Sequence, residues 1–223
     1  MTAAAGRRAA VRGLEPGRRG AVVIHEWQRG LVDPAVSSIP SLAAHAAGRG
    51  ATENINALTV AARAAGVPVF WSTIEPRADR VGTTGSCLLL ASLRKGAVAA
   101  GSDLAALHPE LVTAESDIWI RRVHGLTPFH QTELEAYLRD LGVRTVVLGG
   151  LSTDVGVPGA ALEAANRGFS VVVPEDCTAG SSPETHDFIV RNQLPLLAAV
   201  TDSASVIEAL RDAGPPATES AAT

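Results

Sequence analysis

Short apolar, β-branched runs alternate with longer stretches whose apolar residues recur every three to four positions, the pattern of βαβ units building a mainly parallel sheet. Six runs predict strands at residues 20–25, 67–73, 117–122, 144–149, 169–173 and 197–201, each short and apolar enough to be covered on both faces. The helix signals are as distinct. Leu58, Ala61, Ala62 and Ala65 form a stripe that stops at Gly66, just before Val67-Pro68. Thr132 and Glu135 have capping-box spacing ahead of Leu134, Tyr137, Leu138 and Leu141, and Gly142 closes that helix. A third helix is predicted over 155–167, ending at Gly168, and a last one burying Val206, Ile207 and Leu210. Residues 75–107 are irregular and predict a long, functional loop with one short helix. Together these elements predict an α/β, three-layer Rossmann-like sandwich, with a six-stranded sheet flanked by helices.

Residues 1–19 and 213–223 are Ala, Gly, Arg, Pro, Ser and Thr without apolar period, so both read as disordered tails around one domain over 20–212. The first tail carries five arginines against Glu15 in a chain whose net charge is −4, which leaves −8 on the remaining residues. That acidity, with only eight aromatic residues, argues against a nucleic-acid partner. No apolar run reaches the length of a membrane span, and the start lacks the apolar core of a secretory signal. Cys87 and Cys177 form neither a CxxC pair nor a zinc-ligand cluster, which fits a cytoplasmic chain stabilised by packing. The histidines lack metal-ligand spacing and no GK[ST] follows the glycines at 149 and 150, so neither metal nor nucleotide cofactor is expected.

A parallel sheet binds ligands beyond the carboxyl ends of its strands. The residues there are AVVIHEWQRG (21–30), RVHGLTPFHQTEL (122–134) and GLSTDVGV (150–157), followed by GFSVVVPED (168–176). Taken in this order they resemble the isochorismatase-like hydrolases, also called cysteine hydrolases. The resemblance spans roughly residues 20–210. It implies a six-stranded parallel sheet, a small-molecule substrate and a homo-oligomer. It also implies a site in which amidase members use an Asp two residues before the Gln of the first motif, a Lys opening the second and a Cys opening the helix of the third.

Those positions are Glu26, Arg122 and Gly156 here. Glu26 keeps a carboxylate with one more methylene of reach, and Arg122 keeps a positive charge but cannot act as an acid. Gly156 has no thiol, which closes the thioester route. Isochorismatase-type members are similar in carrying Gly there, and their carboxylate protonates a vinyl ether. Glu26 can serve as acid or base, with backbone N–H groups around Val155 and Gly156 holding an anion or a polarised carbonyl. Burial against Trp27, Trp71 or Phe129 favours its protonated form, whereas Arg122 favours the carboxylate.

Gln28, Trp71, Glu75, Arg77, Phe129, Ser152 and Val155 are the side chains expected to contact substrate. Glu75 near Glu26 would repel an anionic substrate unless Arg77, Arg80, Arg94 or Lys95 neutralises it. Ser152, Thr153 and Cys87 are the alternative nucleophiles, although the GxSxG pattern is incomplete. Other readings stand beside these. Glu26 and Arg122 can be a plain salt bridge, Gly156 can serve close packing, and His25 is expected on the opposite face as a satisfied core histidine. The expectation is therefore a hydrolase working by general acid/base chemistry on a vinyl ether, amide or carbamate. Its alternative is an inactive member acting as a small-molecule binder or an oligomeric interaction protein.

Overall fold

Residues 10–213 are described in the computed structural model. Seven strands form one sheet: β1 (Gly20–His25), β2 (Val69–Ile74), β3 (Ile118–Arg122), β4 (Thr145–Leu151), β5 (Ser170–Pro174), β6 (Thr178–Ala179) and β7 (Ala199–Thr201). Their order is β3-β2-β1-β4-β5-β7, with β6 paired to the end of β4, and every pairing is parallel. The six predicted strands are all present. The seventh, β6, has two residues, too few to leave a periodic trace in the sequence.

Alternation along β1 sorts its side chains between two cores. Val22 and Ile24 join Ile55, Leu58, Val206 and Leu210 on one face. Ala21 and Val23 join Leu134, Leu138, Val157 and Ala161 on the other. The first face is covered by α3 (Ala51–Ala64) and α8 (Ser203–Ala213), the second by α5 (Leu134–Asp140) and α6 (Gly156–Asn166), which makes the expected three layers. The remaining helices are α1 (Arg29–Val32), α2 (Pro40–Gly48), α4 (Leu88–Lys95) and α7 (Pro183–Asn192). The helix α4 is the short one expected in the long loop, and it buries none of its residues.

Two local expectations are corrected. The capping box at Thr132 does not form, because Glu135 turns outward to Arg167 at 2.9 Å and Arg139 at 3.2 Å while the Thr132 hydroxyl donates to the Pro128 carbonyl. Residues 10–19 are not a loose tail. Val11 and Leu14 are buried in the core, and the Thr145 hydroxyl donates to the Gly13 carbonyl. Two apolar anchors separated by a glycine turn suffice to fix this segment, without any helical or strand period. Residues 1–9 and 214–223, also read as tails, lie outside the described residues. Among the described residues no helix is long and apolar enough to cross a membrane.

Candidate active site

The parallel register brings the carboxyl ends of β1, β2 and β4 together, with His25 opposite Ser72 on one side and Gly150 on the other. One residue later the chain leaves the sheet. Glu26 has φ +56°, a conformation uncommon for a residue with a side chain, and its N–H donates to the Ser72 carbonyl at 2.7 Å. Arg122, at the end of β3, reaches across β2 to meet it. The Arg122 side chain is wholly buried, donating from Nη1 to the Gly125 carbonyl at 2.9 Å and from Nη2 to Glu26 Oε1. Glu26 keeps 20% of its side chain exposed, so this ion pair faces a cavity from one side only.

The cavity is about 510 Å³. Its floor is Glu26, Leu151, Ser152, Val155 and Gly156; its walls are Leu31, Ile39 and Leu42 from α1, α2 and the turn between them, Ile74 from β2, and Leu89, Leu93 and Val98 from the long loop. The lining is mostly aliphatic, with Ser38, Ser92 and Lys95 as further polar groups. At the floor the Val155 N–H is engaged by the Ser152 carbonyl at 3.2 Å. Gly156 opens α6, where backbone N–H groups have no intrahelical partner, and it lines the cavity beside Glu26.

Of the side chains expected to contact substrate, Ser152 and Val155 line the cavity. The others point elsewhere. Gln28 is buried, donating to the carbonyls of Ile74 and Ala105 and accepting from Ile74 N–H, which ties β2 to the long loop. Trp71 lies in the core with its Nε1 donating to Asp117 at 2.7 Å. Phe129 stacks on Phe169 beneath the Arg167 guanidinium. Glu75 accepts from the Thr73 hydroxyl and faces Arg121 at 3.5 Å, and it does not line the cavity. Arg77 pairs with Asp79 on the surface, and Arg80 is held by the carbonyls of Gly96 and Val98. Only Lys95, of the four candidate cations, lines the cavity.

His25 is the largest correction. Strand alternation places it away from Glu26, yet its Nε2 lies 3.7 Å from Glu26 Oε1, and its ring packs against Gly156. The left-handed turn at Glu26 breaks the alternation and folds both side chains toward one point. Burial pushes the His25 imidazole down to about 4; Arg122 adds to this, while Glu26 and the Leu126 carbonyl oppose it.

The alternative nucleophiles fare differently. Thr153 does meet a histidine: its hydroxyl is 3.1 Å from His186 Nδ1, and His186 Nε2 is 3.4 Å from Glu175. Thr153 and His186 are fully buried, and Gly180 closes over the hydroxyl, so this chain ties α7 to the β4–α6 turn. Cys177 is buried, and desolvation raises its thiol well above the usual range. Cys87 is exposed at the start of α4 and does not line the cavity.

Gly156 leaves no room for a thiol. A Cβ there would stand 2.6 Å from the Leu151 carbonyl oxygen and 3.1 Å from His25 Cδ2. Gly156→Cys is expected to lower stability by about 2 kcal/mol through overpacking. Urea unfolding checks this, and a variant as stable as the parent would show that the turn yields freely.

Residues 20–205 match the isochorismatase domain. The chain belongs to the isochorismatase family. It is 37% identical over 105 residues to the uncharacterized isochorismatase family protein YecD of Escherichia coli O157:H7, covering 46% of this chain and 55% of that one. It thus spans about half the length of this curated relative. A cysteine hydrolase from Pseudomonas syringae pv. phaseolicola 1448A superposes with a TM-score of 0.77 at 22% identity, over 92% of this chain and 97% of the other. N-carbamoylsarcosine amidase from Thermoplasma acidophilum does so at 0.61 and 23%, over 83% and 96%. These two likenesses establish the shared fold.

Proposed function

We propose that this isochorismatase family member is a hydrolase of a small, largely aliphatic amide or carbamate, working without a cysteine nucleophile. The observation that carries the reading is the half-open ion pair: Glu26 on the cavity floor, its carboxylate held by the wholly buried Arg122. Arg122 donates to the Glu26 carboxylate, which places that group as a hydrogen-bond acceptor and suits a general base better than the proton donor that a vinyl ether needs. Glu26 takes a proton from water as the water oxygen bonds to the substrate carbonyl carbon. The Gly156 N–H receives the developing oxyanion, and collapse breaks the C–N bond as Glu26 returns the proton to the leaving nitrogen. The aliphatic walls exclude bulk water, and Lys95 offers one site for a substrate carboxylate. The Thermoplasma neighbour is named an amidase, which makes amides and carbamates the first compounds to screen.

The purified chain is expected to turn over a member of that screen, and Glu26→Gln is expected to lower kcat/KM about a hundredfold, as for loss of a general base. No turnover in any class, together with compounds that still raise the melting temperature, would overturn this reading in favour of a small-molecule binding protein.

A further inference from the structure

A histidine, rather than an aliphatic residue, is buried at the end of β1. Neither ring nitrogen of His25 makes a well-aligned hydrogen bond among the described residues, although its side chain is wholly buried; the Leu126 carbonyl is the backbone acceptor beside it. Buried polar atoms are nearly always paired, and an unpaired one costs stability that an aliphatic side chain of similar size would not. The ring also occupies a particular place. Its Nε2 approaches Glu26 Oε1, the oxygen that Arg122 Nη2 binds, and its Cδ2 edge fills the space beside Gly156 that any side chain at 156 would need.

We propose that His25 is a positioning residue of this site, whose Nε2–H grips Glu26 Oε1 together with Arg122 and so leaves Oε2 to exchange the proton with water. The proposal rests on the general-base reading of Glu26 given above. A closure of less than about 1 Å brings the 3.7 Å approach within hydrogen-bond distance. His25 carries no proton away. The ring stays neutral through the cycle, and the proton passes from water to Glu26 and on to the leaving group. The charged groups facing the ring are Glu26 and Arg122; the Leu126 carbonyl is the polar backbone group near it. Burial holds the imidazole near 4, so it remains a neutral donor throughout the neutral range and adds no second cation beside Arg122. Arg122 fixes the charge of the site and His25 fixes which carboxylate oxygen is free.

Nitrogen-15 NMR of the full chain tests the contact without any substrate. The expected result is a neutral His25 with its proton on Nε2 and a midpoint near 4 that moves lower in Glu26→Gln, since the carboxylate favours the imidazolium. A proton on Nδ1, or a midpoint indifferent to Glu26→Gln, overturns the proposal. With a substrate in hand, His25→Leu is expected to lower kcat about tenfold with KM unchanged, while His25→Gln, whose amide N–H reaches the same point, stays within about threefold. A His25→Leu enzyme with full kcat also overturns it. If the parent turns nothing over, the proposed reaction fails, and the NMR result still decides whether His25 holds Glu26.

Discussion

Arg122→Met is expected to destabilise the fold by about 3 kcal/mol, and the same change combined with Glu26→Gln by clearly less. Arg122 is fully buried, and its guanidinium is the cation in contact with the Glu26 carboxylate. Methionine fills a similar volume with an apolar chain, so the packing loss is small. What remains is a carboxylate stripped of its counter-charge and a Gly125 carbonyl stripped of its donor. Removing one member of a buried pair costs far more than replacing both, because the survivor keeps its desolvation cost without the compensating attraction. Glutamine at 26 removes that charge, so the double variant recovers part of the loss. Urea unfolding of the two single variants and the double variant gives the coupling directly. Additive effects would mean that the two side chains are neighbours without being energetically a pair.

This pair was legible in the sequence, and much around it was not. The strands show themselves because a sheet covered on both faces needs unbroken apolar runs, as in Gly20–His25 and Thr145–Leu151. Strand ends mark the segments that hold Glu26, Arg122 and Gly156, and the family resemblance singles out those three positions within them. Helix α2, PSLAAHAAG, is apolar nearly all round and gives no amphipathic signal, and α7 is short and rich in polar residues. The cavity walls join α1 and α2, which follow Glu26 closely in the chain, to the distant α4, and no periodic pattern marks Leu31, Leu42 or Leu93 as lining one cavity. The misplaced residues share one cause. Gln28 and Phe129 lie beyond strand ends and Trp71 lies within β2, places where polar and aromatic groups serve the core as readily as a ligand. His25 departs from its expected place for the opposite reason, since alternation holds only while the chain stays extended and Glu26 leaves that conformation.

Stability is expected to fall by about 3 kcal/mol as the pH drops from about 6.5 to about 4, and His25→Leu is expected to remove most of that dependence. The sign follows from where the proton binds. In the unfolded chain the imidazole takes up a proton below its ordinary value near 6.5, whereas in the fold burial holds it down to about 4. Between those values the unfolded state binds more protons than the folded one, so each step toward acid favours unfolding; below the folded value both states are protonated and the dependence ends. Carboxylates held in ion pairs add an acid dependence of their own. Glu175, for example, is held below the ordinary range by His186, with Arg49 adding to the effect. The comparison that isolates His25 is therefore urea unfolding of the parent and His25→Leu at about pH 7 and about pH 4.5. The variant should match or exceed the parent at neutral pH, because leucine leaves no unpaired buried nitrogen, and the gap should widen in acid. If the two lose the same stability on acidification, the imidazole is not the neutral, desolvated group at the floor of the site. A variant that gains stability while losing turnover would mean that the chain keeps a costly histidine beside Glu26 for the sake of its chemistry.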